Sequence, residues 1–475
     1  MLPDDVLVEI FFYVNNWDIP DLRSSWHVLV HVCRRWRSVV FASPRRLNLR
    51  LEYEGHRPIS EMLDLWPVLP VTLLSSLSVL PTYQRWDNLV AALESEHYNC
   101  IREIHIHDML KPHWERLLAS TRKPFPELTH LELSVALLLD SNVLLVLPDS
   151  FLGGCAPRLQ TLSLDSIPFP PIPKLLLSAN GLVTLSIRNI PHSGYISPDA
   201  MATALTVMTK LESLELHFFF PPPDPASRPL PPHTRFVHPA LTRFTFNGVQ
   251  KYLEYLLARI ETPLLDYIAV TFSMDFNFDL PQLQRLIGHT EVFKTFNHAE
   301  LVIDHLIRLD LYPKTRAVYH HQLLGLAISC GDLELDRKLS SLAQVYSSSF
   351  FPLISAVEEL KIVDYLSPDW EDDMENTQWL ELLGPFTALK NLYLSNDIAS
   401  HVFSALLDFS VERVTEVLPA LQSLFIYPEY LLEGPQEPIK IFVTTRRRAG
   451  RPVSVHCGSW SGRWVDITED LTSGD

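Results

Sequence analysis

Two histidines, His105 and His107, stand two residues apart in CIREIHIHD, an alternating apolar segment that reads as a strand. That spacing puts both imidazoles on one side of the strand, which is half of what a metal site needs. No cysteine or third histidine stands at a matching spacing, so the pair is expected to hold no metal. His320 and His321 are adjacent and would diverge. Cys457-Gly458-Ser459-Trp460 has the outline of a thiol-nucleophile segment, yet tryptophan stands where the reactive cysteine belongs. In Gly458-Ser459-Trp460-Ser461-Gly462, tryptophan again fills the place where a nucleophile elbow needs serine. Gly-x-Gly-x-x-Gly, the lysine-bearing phosphate loop and His-Glu-x-x-His are all absent, and only 15 glycines occur. The expectation is a protein that is not an enzyme and carries no cofactor.

The elements that would position any site come next. At 475 residues the chain exceeds one ordinary domain unless a repeat spreads a continuous core. A hydrophobic content of 47% and a mean hydropathy of +0.08 exclude global disorder. No apolar run is long enough to span a membrane; Val135 to Leu147 is broken by Asp140-Ser141-Asn142. Asp4, Asp5 and Glu9 stand where a signal peptide would be basic and then apolar. Cys33, Cys100, Cys155, Cys330 and Cys457 are scattered and odd in number, and no Asn-x-Ser/Thr sequon occurs. These features place the chain in a reducing, intracellular setting, with nucleus and cytosol both open. A net charge of −17 argues against a nucleic-acid partner.

The first fifty residues carry LPDDVLVEIFFYV, a polar break, and WHVLVHVCRRWRSVVFASP. Pro3 suits a first helical position, and Asp4 and Asp5 suit the positive end of the dipole. Val6, Leu7, Ile10, Phe11 and Val14 recur at helical spacing and make one apolar face. A second helix is expected to carry Trp26, Leu29, Cys33, Trp36 and Val40 on one side, with Arg34, Arg35 and Arg37 off it, ending before Pro44. So short a segment cannot bury two such faces alone. It resembles an F-box: Leu2-Pro3, Asp4-Asp5, Ile10-Phe11 and Val32-Cys33-Arg34-Arg35-Trp36-Arg37 follow that family's pattern. Ser43-Pro44-Arg45 is similar to the fungal, basidiomycete-type versions. The polar stretch Asn15 to Ser25 is longer than the family's usual link. The resemblance implies docking on the Skp adaptor of a cullin-RING (SCF) ubiquitin ligase, through Leu2, Pro3, Ile10, Val32, Cys33 and Trp36.

Self-similarity organises the rest. An apolar-x-x-apolar-x-apolar pattern starts at Ile101, Leu128, Leu159, Leu182, Leu211, Leu241, Leu265, Val357, Leu389 and Leu421, with further members at Leu323 and near Ala299. Successive units lie about 23 to 34 residues apart. Each offers a short strand that cannot cover its own apolar side, whereas a stack can. Pro126, Pro157, Pro239, Pro263 and Pro419 mark strand entrances. The pattern resembles leucine-rich repeats, without the family's asparagine after the strand. The fold class expected is therefore α/β: a three-helix F-box followed by an irregular leucine-rich-repeat solenoid of short parallel strands with helices on the convex side. An α/β domain of another topology is the competing reading. Concave-face candidates are Glu132, Ser134, Asp165, Ser186, Arg188, Glu215, His217, Asn247, Thr271, Lys361, Tyr393 and Tyr427.

The expected boundaries are residues 1–50 for the F-box, 51–100 for a degenerate first repeat or linker, 101–430 for the repeats and 431–475 for a capping hairpin and tail. Residues 218–239 are too rich in proline for helix or central strand and read as an insertion loop; RPLPP within it only superficially resembles an SH3 ligand. Asp369 to Asp373 reads as a solvated acidic loop. Ile439, Ile441 and Val443 alternate, then Arg446 to Arg448 form a basic turn, then Val453, Val455 and Cys457 alternate, which predicts a terminal hairpin. The arginines read as a charged turn in preference to a nuclear import signal. Together these readings point to a substrate receptor: an F-box that meets the Skp adaptor and, through it, a cullin, with repeats that hold an unidentified target protein. The alternative is an interaction scaffold whose N-terminal helices only cap the solenoid.

Overall fold

A computed structural model describes residues 2–15, 26–44, 46–47, 49–65, 69–75, 83–136, 146–170, 174–191, 194–218, 235–273, 280–303, 307–313, 324–329, 343–344, 351–364, 376–407, 416–427, 436–458 and 464–469. The chain forms two compact units, Met1–Leu211 and Glu212–Asp475.

In the first unit three helices, α1 (Asp4–Asn15), α2 (Trp26–Val32) and α3 (Arg34–Ala42), precede six strands. The strands are β1 (Leu51–Tyr53), β2 (Val71–Ser75), β3 (Ile101–Met109), β4 (His130–Val135), β5 (Thr161–Asp165) and β6 (Thr184–Ile190). They pair in chain order, all parallel. Residues 51–100, expected as a linker or one degenerate repeat, thus supply two full members of the sheet, with helices Ile59–Leu65 and Tyr83–Glu94 between and after them.

The repeats build their strand entrances alike. The N–H of the first apolar residue donates to a carbonyl three residues back: Leu128 to Phe125, Leu159 to Ala156, Leu182 to Ala179 and Leu211 to Met208. The second unit repeats this at Leu265, Val357, Leu389 and Leu421. Each of these side chains is buried. Beyond it the strand alternates, as His130–Val135 shows: Leu131, Leu133 and Val135 are buried, and His130, Glu132 and Ser134 are half-buried. Connecting helices add their own apolar stripe; Lys111–Ser120 buries Trp114, Leu117 and Leu118. Each unit is thus mixed α/β and dominated by parallel strands, in a leucine-rich-repeat-like arrangement.

The second unit contains β7 (Ser213–Phe218), β8 (Phe236–Val237), β9 (Arg243–Gly248), β10 (Ile260–Glu261), β11 (Tyr267–Ser273), β12 (Phe296–Ile303), β13 (Ile307–Pro313), β14 (Leu324–Ser329), β15 (Glu359–Asp364), β16 (Asn391–Ser395), β17 (Ser423–Tyr427), β18 (Ser454–Gly458) and β19 (Trp464–Asp466). Strands β8 and β10 form a separate parallel pair. The main ladder runs β7, β9, β11, β14, β13, β12, β15, β16, β17, β18, β19.

The order within that ladder corrects one part of the expectation, that the short strands are all parallel. The units near Ala299 and Leu323 are strands, but β12 lies beside β15 and β14 beside β11. Between them β13 runs antiparallel to both. The cause is visible in chain length. Only residues 304–306 separate β12 from β13, and a parallel neighbour needs a crossover of about a dozen residues or more. The chain therefore returns antiparallel, and the next strand pairs on the far side.

Three further expectations are corrected. The expected terminal hairpin loses its first arm, because Gln436–Arg448 is a helix. Ile439, Phe442, Val443 and Arg446 are buried at helical spacing, whereas Ile441 is exposed, so the apparent alternation ignored Phe442. Strands β18 and β19 supply the only antiparallel pair at that end among the described residues. The expected second N-terminal helix is two helices broken at Cys33, whose extended backbone lets its Sγ accept from the Trp36 N–H and cap α3. Finally, α1 buries Leu7, Val8 and Phe11, not the wider face that included Val6 and Ile10, both of which are exposed.

Most of the proline-rich insertion (219–234) and the acidic run Asp369–Asp373 lie outside the described residues. Among the described residues no helix is long and apolar enough to cross a membrane.

Candidate functional site

The N-terminal helices are fastened on their inner side. Trp26 is buried and donates its indole N–H to the Arg50 carbonyl at 3.0 Å, joining α2 to the chain entering β1. Phe11 packs against Trp36 with ring centroids 4.8 Å apart. Arg35 reaches back from α3 to pair with Asp4 at 2.7 Å and to donate to the Leu2 carbonyl. Arg46 pairs with Glu9 in the same way.

The outer side is uncovered. Leu2 is 52% exposed, Tyr13 74%, Val28 62% and Val32 54%, and Val6, Ile10 and Phe12 are exposed beside them. Val6, Ile10 and Tyr13 follow helical spacing on α1, Leu2 lies just before its first turn, and Val28 and Val32 lie one turn apart on α2. Of the six residues expected to meet an adaptor, Leu2, Pro3, Ile10, Val32 and Cys33 are exposed and Trp36 is half-buried. Val6, Tyr13 and Val28 extend that surface. Their signal in the sequence was the same spacing, read one face too far inward.

On the sheet of the first unit, the half-buried strand face gathers charge. His105 is bracketed by two carboxylates, with Nδ1 3.0 Å from Glu132 and Nε2 3.6 Å from Glu103. Arg50 pairs with Glu103 at 2.5 Å, and Thr72 donates to the same carboxylate. Hydrogen bonds to Glu103 and Glu132 raise the His105 pKa to about 9, against the opposing effect of burial. Burial alone would raise Glu103, but His105, Arg50, His130 and Thr72 outweigh it and bring the carboxyl down to about 2. Among the described residues no group of three or more His, Cys, Asp or Glu side chains is arranged to hold a metal ion. The cluster is a salt network that fixes three adjacent elements.

Several concave-face candidates turn out to fasten turns. Asp108, Ser166 and Asn189 take φ of +49°, +61° and +49° at the ends of β3, β5 and β6. Ser134 Oγ accepts the Asp108 N–H at 2.7 Å. Asp165 Oδ1 accepts from Ser166 Oγ and Asn189 Nδ2, both at 2.8 Å. Ser134 and Asp165 thus do locally what a regular asparagine would do after each strand. Ser186 is buried, while Arg188 beside it is exposed.

In the second unit the candidates fall into lateral rows. His217, Asn247 and Thr271 are register partners across β7, β9 and β11, and Asn247 and His217 are hydrogen-bonded side chain to side chain. Glu215 lies in the neighbouring row, opposite Thr245. Farther along that row come Glu300, Lys361, Tyr393, Phe425 and His456, each opposite the next. Lys361 pairs with Glu300 at 2.7 Å. Tyr393 stacks on Phe425 with centroids 4.4 Å apart and 12° between planes, and Phe425 stacks on His456 at 4.9 Å and 20°. Trp464 meets Phe425 edgewise at 5.0 Å and also packs on Tyr427, which is buried. Phe425, His456 and Trp464 were not among the sequence candidates. Phe425 occupies the same slot as Lys361 and Tyr393, four residues after the first apolar position, so a consistent slot rule finds it.

No family model matches this chain, and no curated protein matches it. Among solved structures, the leucine-rich repeat-containing protein LegL7 from Legionella pneumophila aligns over 85% of this chain and 98% of that one, at 13% identity and a TM-score of 0.25. The architecture assigned above rests on strand register and the repeated strand entrance, not on that alignment.

Proposed function

We propose that this chain is the substrate-recognition subunit of an SCF-type ubiquitin ligase, with α1 to α3 docking on a Skp-family adaptor and the repeats holding a target protein. The observation that carries the reading is the uncovered apolar surface of Leu2, Val6, Ile10, Tyr13, Val28 and Val32. A segment that merely capped the solenoid would turn such side chains inward; here the inner side already has Leu7, Val8, Phe11 and Trp26 buried. Exposed apolar side chains gathered at helical spacing support an interaction site. The family pattern read from Leu2-Pro3 to Arg37 supplies the identity of the adaptor.

On this reading the protein works by positioning. Holding a target beside the ligase raises its effective concentration and needs no reactive side chain in this chain. Nucleus and cytosol both suit it, and neither a membrane nor a nucleic acid takes part.

The test is co-purification of a Skp adaptor with the full chain and with a Pro3→Ala/Trp36→Ala variant, both first checked for folding by circular dichroism. Retention by wild type and loss by the variant supports the reading. Failure of the folded wild type to retain adaptor overturns it and leaves the scaffold alternative. That alternative draws on the Trp26 to Arg50 bond, which ties the helices to the first strand.

A further inference from the structure

The aromatic row beside β19 has a geometry that selects among target chemistries. Both faces of the Phe425 ring are occupied, one by Tyr393 and the other by His456. Trp464 lies 74° from the Phe425 plane and 64° from that of Tyr393. With the faces of Phe425 taken, Trp464 can only rest its own indole face on the ring edges. Trp464 also meets Tyr427 steeply, at 4.8 Å and 68°, and it is half-buried, not enclosed.

Asp466 stands two residues on in the same strand, so it shares the side of Trp464. It is exposed. Its carboxylate is fixed by the Thr468 N–H at 2.9 Å and the Thr468 hydroxyl at 2.6 Å, which hold it below the usual carboxylate range. An indole face and a fixed carboxylate on one side of a strand match a planar cation that can stack and pair at once. Guanidinium does both, whereas ammonium is a strongly hydrated point charge that does not stack. The chain's net charge of −17 favours a cationic visitor over an anionic one.

We propose that Trp464 and Asp466, backed by the Tyr393–Phe425–His456 stack, form a docking site for an arginine-bearing basic segment of the target protein. This rests on the target-binding half of the function proposed above and names the chemistry of that target.

The test uses the full chain and three fluorescein-labelled octapeptides, alternating Arg-Ser, Lys-Ser and Glu-Ser, read by fluorescence anisotropy at physiological salt. The Arg-Ser peptide binds, the Lys-Ser peptide binds about fivefold more weakly, and the Glu-Ser peptide does not bind. Trp464→Ala and Asp466→Asn each weaken Arg-Ser binding by about tenfold, and Trp464→Phe, which keeps an aromatic face, loses less. Asp466→Asn changes an exposed side chain and serves as the variant least able to disturb folding. Absence of Arg-Ser binding overturns the proposal. So does equal binding of the arginine and lysine peptides that survives both Trp464→Ala and Asp466→Asn, which would mean diffuse attraction to an acidic surface. Adaptor co-purification by the same variants separates the two readings: it is unchanged if only the arginine site fails, and is absent from wild type onward if the adaptor reading fails.

Discussion

Arg35 on α3 holds Asp4 on α1 at 2.7 Å, and the same guanidinium reaches the Leu2 carbonyl. Two exposed carboxylate–guanidinium partners contribute only about 0–1 kcal/mol to stability. Their value here is positional, since they order the residues at which the proposed adaptor surface begins. Arg35→Ala should therefore leave the melting temperature nearly unchanged and still reduce adaptor retention several-fold. Hydrogen exchange of the Leu7 amide, which donates to the Pro3 carbonyl, should rise in the same variant. Unchanged retention and exchange would assign the pair no such role.

Phe11 and Tyr13 lie two residues apart on α1 and should behave in opposite ways. Phe11 is fully buried against Trp36, so Phe11→Ala should cost about 3–5 kcal/mol. Tyr13→Ala should cost within about 0.5 kcal/mol, because the side chain meets mostly solvent. Adaptor binding should reverse the ranking once both are compared at a temperature where each is folded. Denaturant titration and a pull-down together read both effects.

The His105 network should give the first unit a defined pH window. His105 is raised from 6.5 to about 9, so its contribution is complete below pH 6.5 and is lost as pH climbs through 9. Glu103 is lowered from 4.5 to about 2, so its contribution is complete above pH 4.5 and is lost as pH falls through 2. Both operate fully between pH 4.5 and 6.5. Raising the pH from 6.5 to 9.5 should cost wild type on the order of 1–2 kcal/mol more than it costs His105→Gln. Parallel stability curves for the two proteins would show that the network is not coupled to folding.

Arg446 is buried at the end of helix Gln436–Arg448 and donates to the carbonyls of Leu418 and Leu421. Burial lowers its pKa, and Arg451 adds to that. Arg446→Ala takes a donor from both carbonyls, of which Leu418 keeps the Leu421 N–H, and opens a space, at about 2–4 kcal/mol. Arg447→Ala, one residue on and exposed, should be neutral within about 0.5 kcal/mol. Thermal melts of the two variants test the pair directly. A buried Arg446 is also out of reach of an import receptor, so a nuclear signal in this run of arginines could draw only on Arg447, Arg448 and Arg451.

The sequence made the repeated strands legible because one rule, an apolar residue at a fixed offset from a turn, recurs with little else competing. Leu128, Leu159, Leu182, Leu389 and Leu421 all enter strands in the manner their neighbours predict. It misled where two periodicities overlap. Ile439, Ile441 and Val443 alternate, yet Phe442 belongs to the buried side, and the helical spacing is the one that packs. The strand Ile307–Pro313 belongs to no repeat and so carries no such signal, and the short link before it leaves an antiparallel return as its pairing. The candidate surfaces were half legible. The N-terminal pattern falls on helices that leave apolar side chains uncovered, and which of those residues face out depends on what Arg35, Trp26 and Phe11 hold in place. Ser134 and Asp165 pointed the expected way and proved to be spent on neighbouring turns.

The reversed order of β14, β13 and β12 has a consequence for how the chain comes off the ribosome. A repeat stack can grow by laying each new strand on the last one made. Here β11 cannot be completed by the next strand synthesised, because Ile268 pairs with Leu324 and not with a residue of β12. At typical elongation rates its backbone edge waits on the order of 3–10 s for its partner. During that interval the nascent protein exposes an apolar strand edge, and this is the stage at which it is most open to chaperone capture or to mispairing.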